Sequence, residues 1–148
     1  MTEPGAHEEQ ARTLFNRVWE LLEEDRTPDG DVEMLHAAHA SRHHWWAAGA
    51  GPVRLLRGEW QISRVYATLG RPEPALAHAR LALELSERQE VGAFDTAYAH
   101  EAAARAYLLA GTRGAARRHV VEARRLLDRI DDDEHRGLLE ADLATIEL

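Results

Sequence analysis

Apolar positions along the chain recur at three- and four-residue intervals and form no convincing strand alternation, so every long segment reads as helix. Leu14, Val18, Leu21 and Leu22 make the stripe of a first helix over about 6–25. Thr27-Pro28-Asp29-Gly30 reads as a turn, and a second helix follows over about 31–48. The Gly49-Ala50-Gly51-Pro52 break opens a third helix, with Leu55, Glu59, Ile62, Tyr66 and Leu69 on one stripe, ending at Gly70. Gly70 suits a left-handed C-cap, and Pro72 suits the first turn of a fourth helix reaching about 89. A fifth helix follows Asp95 and stops at Gly111, and a sixth covers about 112–130. Asp131, with Glu134 three residues on, predicts a capping-box start for a seventh helix ending near 146.

Two of these stretches repeat each other at an offset of 41 residues. Arg64, Tyr66, Gly70, Ala75, His78, Ala82, Leu85 and Arg88 recur as Arg105, Tyr107, Gly111, Ala116, His119, Ala123, Leu126 and Arg129. A period of that size with a glycine between two helical patterns marks stacked helical hairpins. Connections are short, so neighbouring helices should run antiparallel. The predicted fold is all-α: a single domain over 1–148 with hairpins at about 6–48, 52–89 and 94–130. A last helix at about 131–146 caps the apolar face that a terminal repeat would leave open.

Tyr66-x3-Gly70-x4-Ala75-x6-Ala82, and its copy Tyr107-x3-Gly111-x4-Ala116-x6-Ala123, resemble the tetratricopeptide repeat over about 57–130. The resemblance implies that tyrosine and glycine close a first helix while small alanines let the second pack closely. The chain departs from that pattern at Glu59 and His100, where the family has tryptophan, and at Ser63 and Ala104, where it has glycine. Its spacing of 41 also exceeds the family's period of about 34. The segments His36–Trp45 and Arg57–Tyr66 are similar to a group of small bacterial repeat-like proteins with no assigned activity.

Composition narrows the function. Cysteine is absent, which excludes disulfides, thiol catalysis and cysteine-ligated metal centres. All 18 basic residues are arginine, so Schiff-base chemistry and a P-loop lysine are excluded too. The net charge of −8 argues against a nucleic-acid partner. No run of about 18 apolar residues occurs, so no membrane span is expected. The polar start lacks the pattern of a secretory signal, and a cytoplasmic location is the expectation.

In tetratricopeptide-like stacks the first helix of each hairpin lines a concave groove. By that resemblance the groove here takes Arg57, Trp60 and Arg64 from one hairpin and Tyr98, Glu101 and Arg105 from the next. Arg64 and Arg105 hold equivalent positions on adjacent helices, so their guanidiniums can converge on a carboxylate or phosphate. Two other arrangements compete. Glu101 and Arg105 form an i, i+4 pair in the favoured order, and Arg64 stands four residues after Trp60, where it can stack on the indole.

The second helix carries nine-histidine chemistry in miniature: of nine histidines in the chain, His36, His39 and His43 fall within about 60° of one another. Two imidazoles four residues apart can meet one divalent metal ion, with Glu59 as the fourth ligand. The competing readings are a buried His–Glu network that packs the second helix on the third, and exposed histidines. Trp45 and Trp46 cannot share a face, so one belongs to the core and the other is partly exposed.

These features make a non-catalytic binding module the leading expectation. Its partner is a protein, peptide or small anionic ligand held by Arg57, Trp60, Arg64, Tyr98, Glu101 and Arg105, without a cofactor. A metal-dependent enzyme or sensor on His36, His39, His43 and Glu59 is the alternative, and a homodimeric scaffold the second.

Overall fold

Proline opens each of the first four helices: α1 (Pro4–Glu23), α2 (Pro28–Ala47), α3 (Pro52–Thr68) and α4 (Pro72–Ser86). The first-turn N–H has no partner inside a helix, so proline loses nothing there and brings a preset φ. The computed structural model, which describes residues 3–148, continues with α5 (Ala93–Leu109), α6 (Arg113–Leu126) and α7 (Asp133–Ala144). A short 3-10 turn, Leu127–Arg129, links the last two. Among the described residues there is no strand.

Glycine stops α2, α3 and α5. Gly49, Gly70 and Gly111 have φ of 76°, 74° and 84°, the left-handed region where a Cβ is strained. At each, two backbone bonds close the helix end. Arg71 donates to the Tyr66 carbonyl and Gly70 to that of Ala67; Thr112 and Gly111 repeat this on Tyr107 and Leu108.

Several boundaries differ from the sequence reading, for local reasons. Thr27 accepts a hydrogen bond from the Gly30 N–H, so 27–30 is the cap and first turn of α2, not a separate turn. The cap of α7 is Asp132, which accepts from the His135 N–H, one residue after the expected Asp131. The sixth helix tightens into the 3-10 turn four residues before its expected end.

The hairpins are α1/α2, α3/α4 and α5/α6, joined through α2 against α3 and α4 against α5. The buried positions show that the first hairpin belongs to the same series. Met34, Ala38 and Ser41 of α2 are buried, as are Ala75, Ala79 and Ala82 of α4 and Ala116, Val120 and Ala123 of α6. The offset of 41 thus extends into α2 although the residue types change.

Two stacking joints result, and they are built differently. The fifth helix buries Ala97, Ala99, Ala102, Ala103, Ala104 and Ala106, and these small side chains let α3, α4, α6 and α7 approach it. The first joint relies on longer groups. Val18, Leu21, Met34, Ile62 and Val65 form one core cluster there. The amide of Gln61 donates across to the Phe15 carbonyl at 3.0 Å.

Candidate functional site

Helices α1, α3, α5 and α7 share one face of the stack, and its polar centre is Glu101. This carboxylate is fully buried, and removing an ion from water is expensive unless donors surround it. The Trp60 Nε1–H donates to one oxygen at 2.8 Å. The guanidiniums of Arg105 and Arg64 reach the other at 2.7 and 3.4 Å. Arg105 also donates to the Asp142 carbonyl and the Thr145 hydroxyl, which ties down the end of α7.

Arg64 and Arg105 therefore do converge, but the oxyanion between them belongs to the protein. The pairing of Glu101 with Arg105 is the i, i+4 contact read from sequence; the stacking of Arg64 on Trp60 is not formed. Both arginines border a cleft of about 420 Å³ with Ala67, Thr68, Leu108 and Leu109. It lies where α3 and α5 end, and helix C-termini repel anions.

The other sequence-predicted groove residues line a different space. Trp60, Tyr98 and Arg57 meet Phe15, Trp19, Leu56, Phe94, Asp95, Leu138 and Asp142 around a cleft of about 390 Å³. Its walls are a chain of aromatic contacts. Ring centroids lie 5.3 Å apart for Trp19–Trp60, 5.3 Å for Trp60–Tyr98 and 5.1 Å for Phe94–Tyr98. Such edge and tilted geometries add about 0.5–1.5 kcal/mol per pair beyond burial.

The walls are pinned by their polar edges. The Tyr98 hydroxyl donates to Asp142 at 2.6 Å, and burial first, then this bond, push its pKa well above the ordinary phenol value. Arg57 grips Asp95 with two hydrogen bonds, 2.8 and 3.2 Å. The charged groups that line this cleft are thus Arg57, Asp95 and Asp142, each held by a hydrogen bond within the fold.

The histidines do not assemble as a metal site. Glu59 is buried but pairs with Arg42 of α2 at 2.9 Å and His78 of α4 at 2.7 Å. It has no bond to His36, His39 or His43, because α4 reaches it first. A Cβ at Gly58 would stand 2.8 Å from Arg42 Cδ, so that glycine makes room for the arginine. His39 instead meets the Tyr66 hydroxyl at 3.0 Å, while His43 lies against Trp46 and His36 is exposed. Among the described residues no group of three histidine, aspartate or glutamate side chains is placed to hold a metal ion.

These groups instead repeat as packing devices. His78 stacks on Tyr66 at 5.7 Å, and His119 stacks on Tyr107 at 5.6 Å. Where His78 meets Glu59, His119 meets His100 at 3.0 Å. His39 and Arg80 reach the two tyrosine hydroxyls from the preceding hairpin, 41 residues apart. Trp45 is buried and Trp46 is 63 % exposed.

The sequence reading missed seven of the ten residues that line the aromatic cleft. Phe15 and Trp19 stand four residues apart, about 100° round the helix from the Leu14–Val18–Leu21 stripe. A second apolar stripe on α1 was the available signal. Phe94, Leu138 and Asp142 reach the cleft through the packing of α7 on α5, which no local pattern announces. No protein-family model, curated protein sequence or solved structure matches the chain.

Proposed function

We propose that the chain is a non-catalytic binding module, a tetratricopeptide-like stack whose aromatic cleft receives an apolar group of its ligand. The observation that carries this reading is the Trp19–Trp60–Tyr98–Phe94 wall around about 390 Å³ of space. Ligand sites of this size are mostly apolar with a few fixed polar groups. Here those groups are Arg57, Asp95 and Asp142 at the edge.

Two features favour binding over catalysis. Each cleft carboxylate already accepts donors from the fold: Asp95 from Arg57, Asp142 from Tyr98, Glu101 from Trp60 and Arg105. The expected role of Arg64 and Arg105 as anion receptors is replaced by an internal one, since Glu101 occupies the position a ligand oxyanion would take.

The test uses a neutral aromatic probe, 3-phenylpropionamide, followed by tryptophan fluorescence. Leu138 is 51 % exposed and lines the cleft, so Leu138→Glu alters its mouth without disturbing the core. The probe should bind the native chain and lose most of its affinity for the variant, with the melting temperature unchanged. Equal binding to both rejects this cleft.

A further inference from the structure

The joint between the first two hairpins gathers positive charge that the fold does not neutralise. Arg12 of α1 and Arg54 and Arg57 of α3 line a cavity of about 180 Å³ with Phe15, Asn16 and Trp45. Two of these arginines have carboxylates: Arg12 meets Glu8 at 2.9 Å and Arg57 meets Asp95 at 2.8 Å. Arg54 pairs with none among the described residues. Its neighbours at three and four positions along the helix are Ala50, Gly51, Arg57 and Gly58, so α3 offers it no acid. The first turn of α3 holds no acidic residue either.

The repeat makes this gap specific. Position 54 of α3 corresponds to position 95 of α5, at the same offset of 41, and there the residue is aspartate. At the second joint Asp95 of α5 answers Arg57 of α3. At the first joint α1 presents Arg12 and Asn16 to the cavity, and the acids that act on Arg54, Glu8 and Asp95, are already paired with Arg12 and Arg57. The Arg54 and Arg12 guanidiniums both lie over Trp45, 5.0 and 5.1 Å from its ring centroid. Burial first, then the nearness of Arg12 and Arg57, lower the pKa of Arg54, and Glu8 and Asp95 oppose the shift only in part. A guanidinium does not lose its proton in a protein. The unfavourable charge therefore stays, in a chain of net charge −8, until an anion relieves it.

The cavity and the aromatic cleft are neighbours that share Phe15 and Arg57 in their walls. We infer that the Arg12–Arg54–Arg57 cavity is an oxyanion subsite, and that the module's ligand is an amphiphilic acid. Its carboxylate or phosphate sits on Arg54 and its apolar body fills the aromatic cleft. The forked guanidinium suits a bidentate grip on either head group. This inference rests on the cleft being the ligand site, as proposed above. It adds what the aromatic cleft itself does not supply, a preference for an acid over its neutral analogue.

Three matched probes test it on the full chain: 3-phenylpropionate, phenethyl phosphate and neutral 3-phenylpropionamide. At low salt at least one anion should bind about tenfold tighter than the amide, and the advantage should shrink as ionic strength rises. The tighter of the two anions identifies the head group. Arg54→Gln should bring the acid-to-amide ratio close to one, leave the amide's affinity unchanged and raise the melting temperature, because a disfavoured cation is gone. Arg12→Gln, at an exposed position, should lower the same ratio several-fold while the amide still binds. Equal affinity of both acids and amide for the native chain overturns the subsite and leaves the cleft standing. An Arg54→Gln variant that weakens acid and amide alike makes Arg54 a packing residue and also overturns it. Failure of all three probes to bind overturns subsite and cleft together.

Discussion

The two stacking joints of this chain use the same positions to opposite ends. Between α3 and α5, Glu101 takes hydrogen bonds from Trp60 and Arg105 and an ion pair from Arg64, and Asp95 takes Arg57. At that joint small alanines bring the helices together, and Arg57, Arg64 and Arg105 each meet an acid. Between α1 and α3, Trp19 packs against Trp60 with ring centroids 5.3 Å apart, and Arg54 shares a cavity with Arg12 and Asn16. That joint stays open and carries an unanswered charge. The difference comes down to which helix supplies the acid. Helical stacking fixes the geometry of both joints, and the carboxylates of α5 decide which cations find an ion-pair partner.

Removing Glu101 should break this contrast most severely. Glu101→Ala leaves Arg64 and Arg105 without their shared partner, and such losses cost about 3–5 kcal/mol. Urea denaturation reads the effect directly. Arg54→Gln, by contrast, should show no loss in the same assay. Trp60→Phe keeps the ring in the wall but deletes the indole donor to Glu101, a bond to a charged acceptor worth about 1.5–3 kcal/mol.

Acid should weaken the third hairpin through its histidine pair. Burial is the main cause lowering the pKa of both His100 and His119; each other's proximity adds for His100, Arg118 adds for His119, and Glu122 opposes both. The folded chain thus holds fewer protons than the unfolded chain once pH falls below the ordinary histidine value of about 6.5. Stability is therefore level above that pH and declines as pH drops through the lowered pKa values. His39 and His44 act in the same direction. Urea midpoints between pH 7.5 and pH 5 should fall, and His100→Leu combined with His119→Phe should flatten part of the slope. The equivalent pair in the second hairpin, His78 on Glu59, has a carboxylate in place of the second imidazole.

Smaller effects sharpen the repeat itself. Gly70→Ala and Gly111→Ala each force a Cβ into a left-handed φ, at about 1–2 kcal/mol. Because the two ends share one bond pattern, the two losses should match within error in thermal melts. Leu138→Glu should leave stability within about 0.5 kcal/mol, the range for exposed positions, while abolishing binding of the neutral probe.

Much of the architecture was legible because it is written locally. Helix-opening prolines, helix-closing glycines and the offset of 41 need no knowledge of distant contacts. The first hairpin was placed in the stack, but its share in the offset of 41 was not legible, since Met34 and Ser41 stand where later hairpins have alanine. The site was read in part. The resemblance put Trp60 and Tyr98 together on the face formed by the first helices of the hairpins, and the convergence of Arg64 with Arg105 followed from their equivalence. What register could not say is that Glu101 would turn inward and neutralise both. Its own i, i+4 pairing with Arg105 was the local sign. Glu59 illustrates the same limit. A buried carboxylate had to find a cation, but the choice of Arg42 and His78 over the histidines of α2 depends on how α4 packs. Arg54 escaped notice although its lack of a helical acid partner was visible in the sequence.

The four indole N–H signals offer the most direct test of the open joint as the binding site. Trp19 and Trp60 line the aromatic cleft, Trp45 lies under Arg12 and Arg54, and Trp46 is exposed elsewhere on α2. Titration with 3-phenylpropionate, followed by nitrogen–proton correlation spectra, should shift the signals of Trp19, Trp45 and Trp60 together and leave Trp46 in place. Movement confined to Trp46, or to backbone signals around Leu108 and Leu109 beside Arg64 and Arg105, would contradict the account.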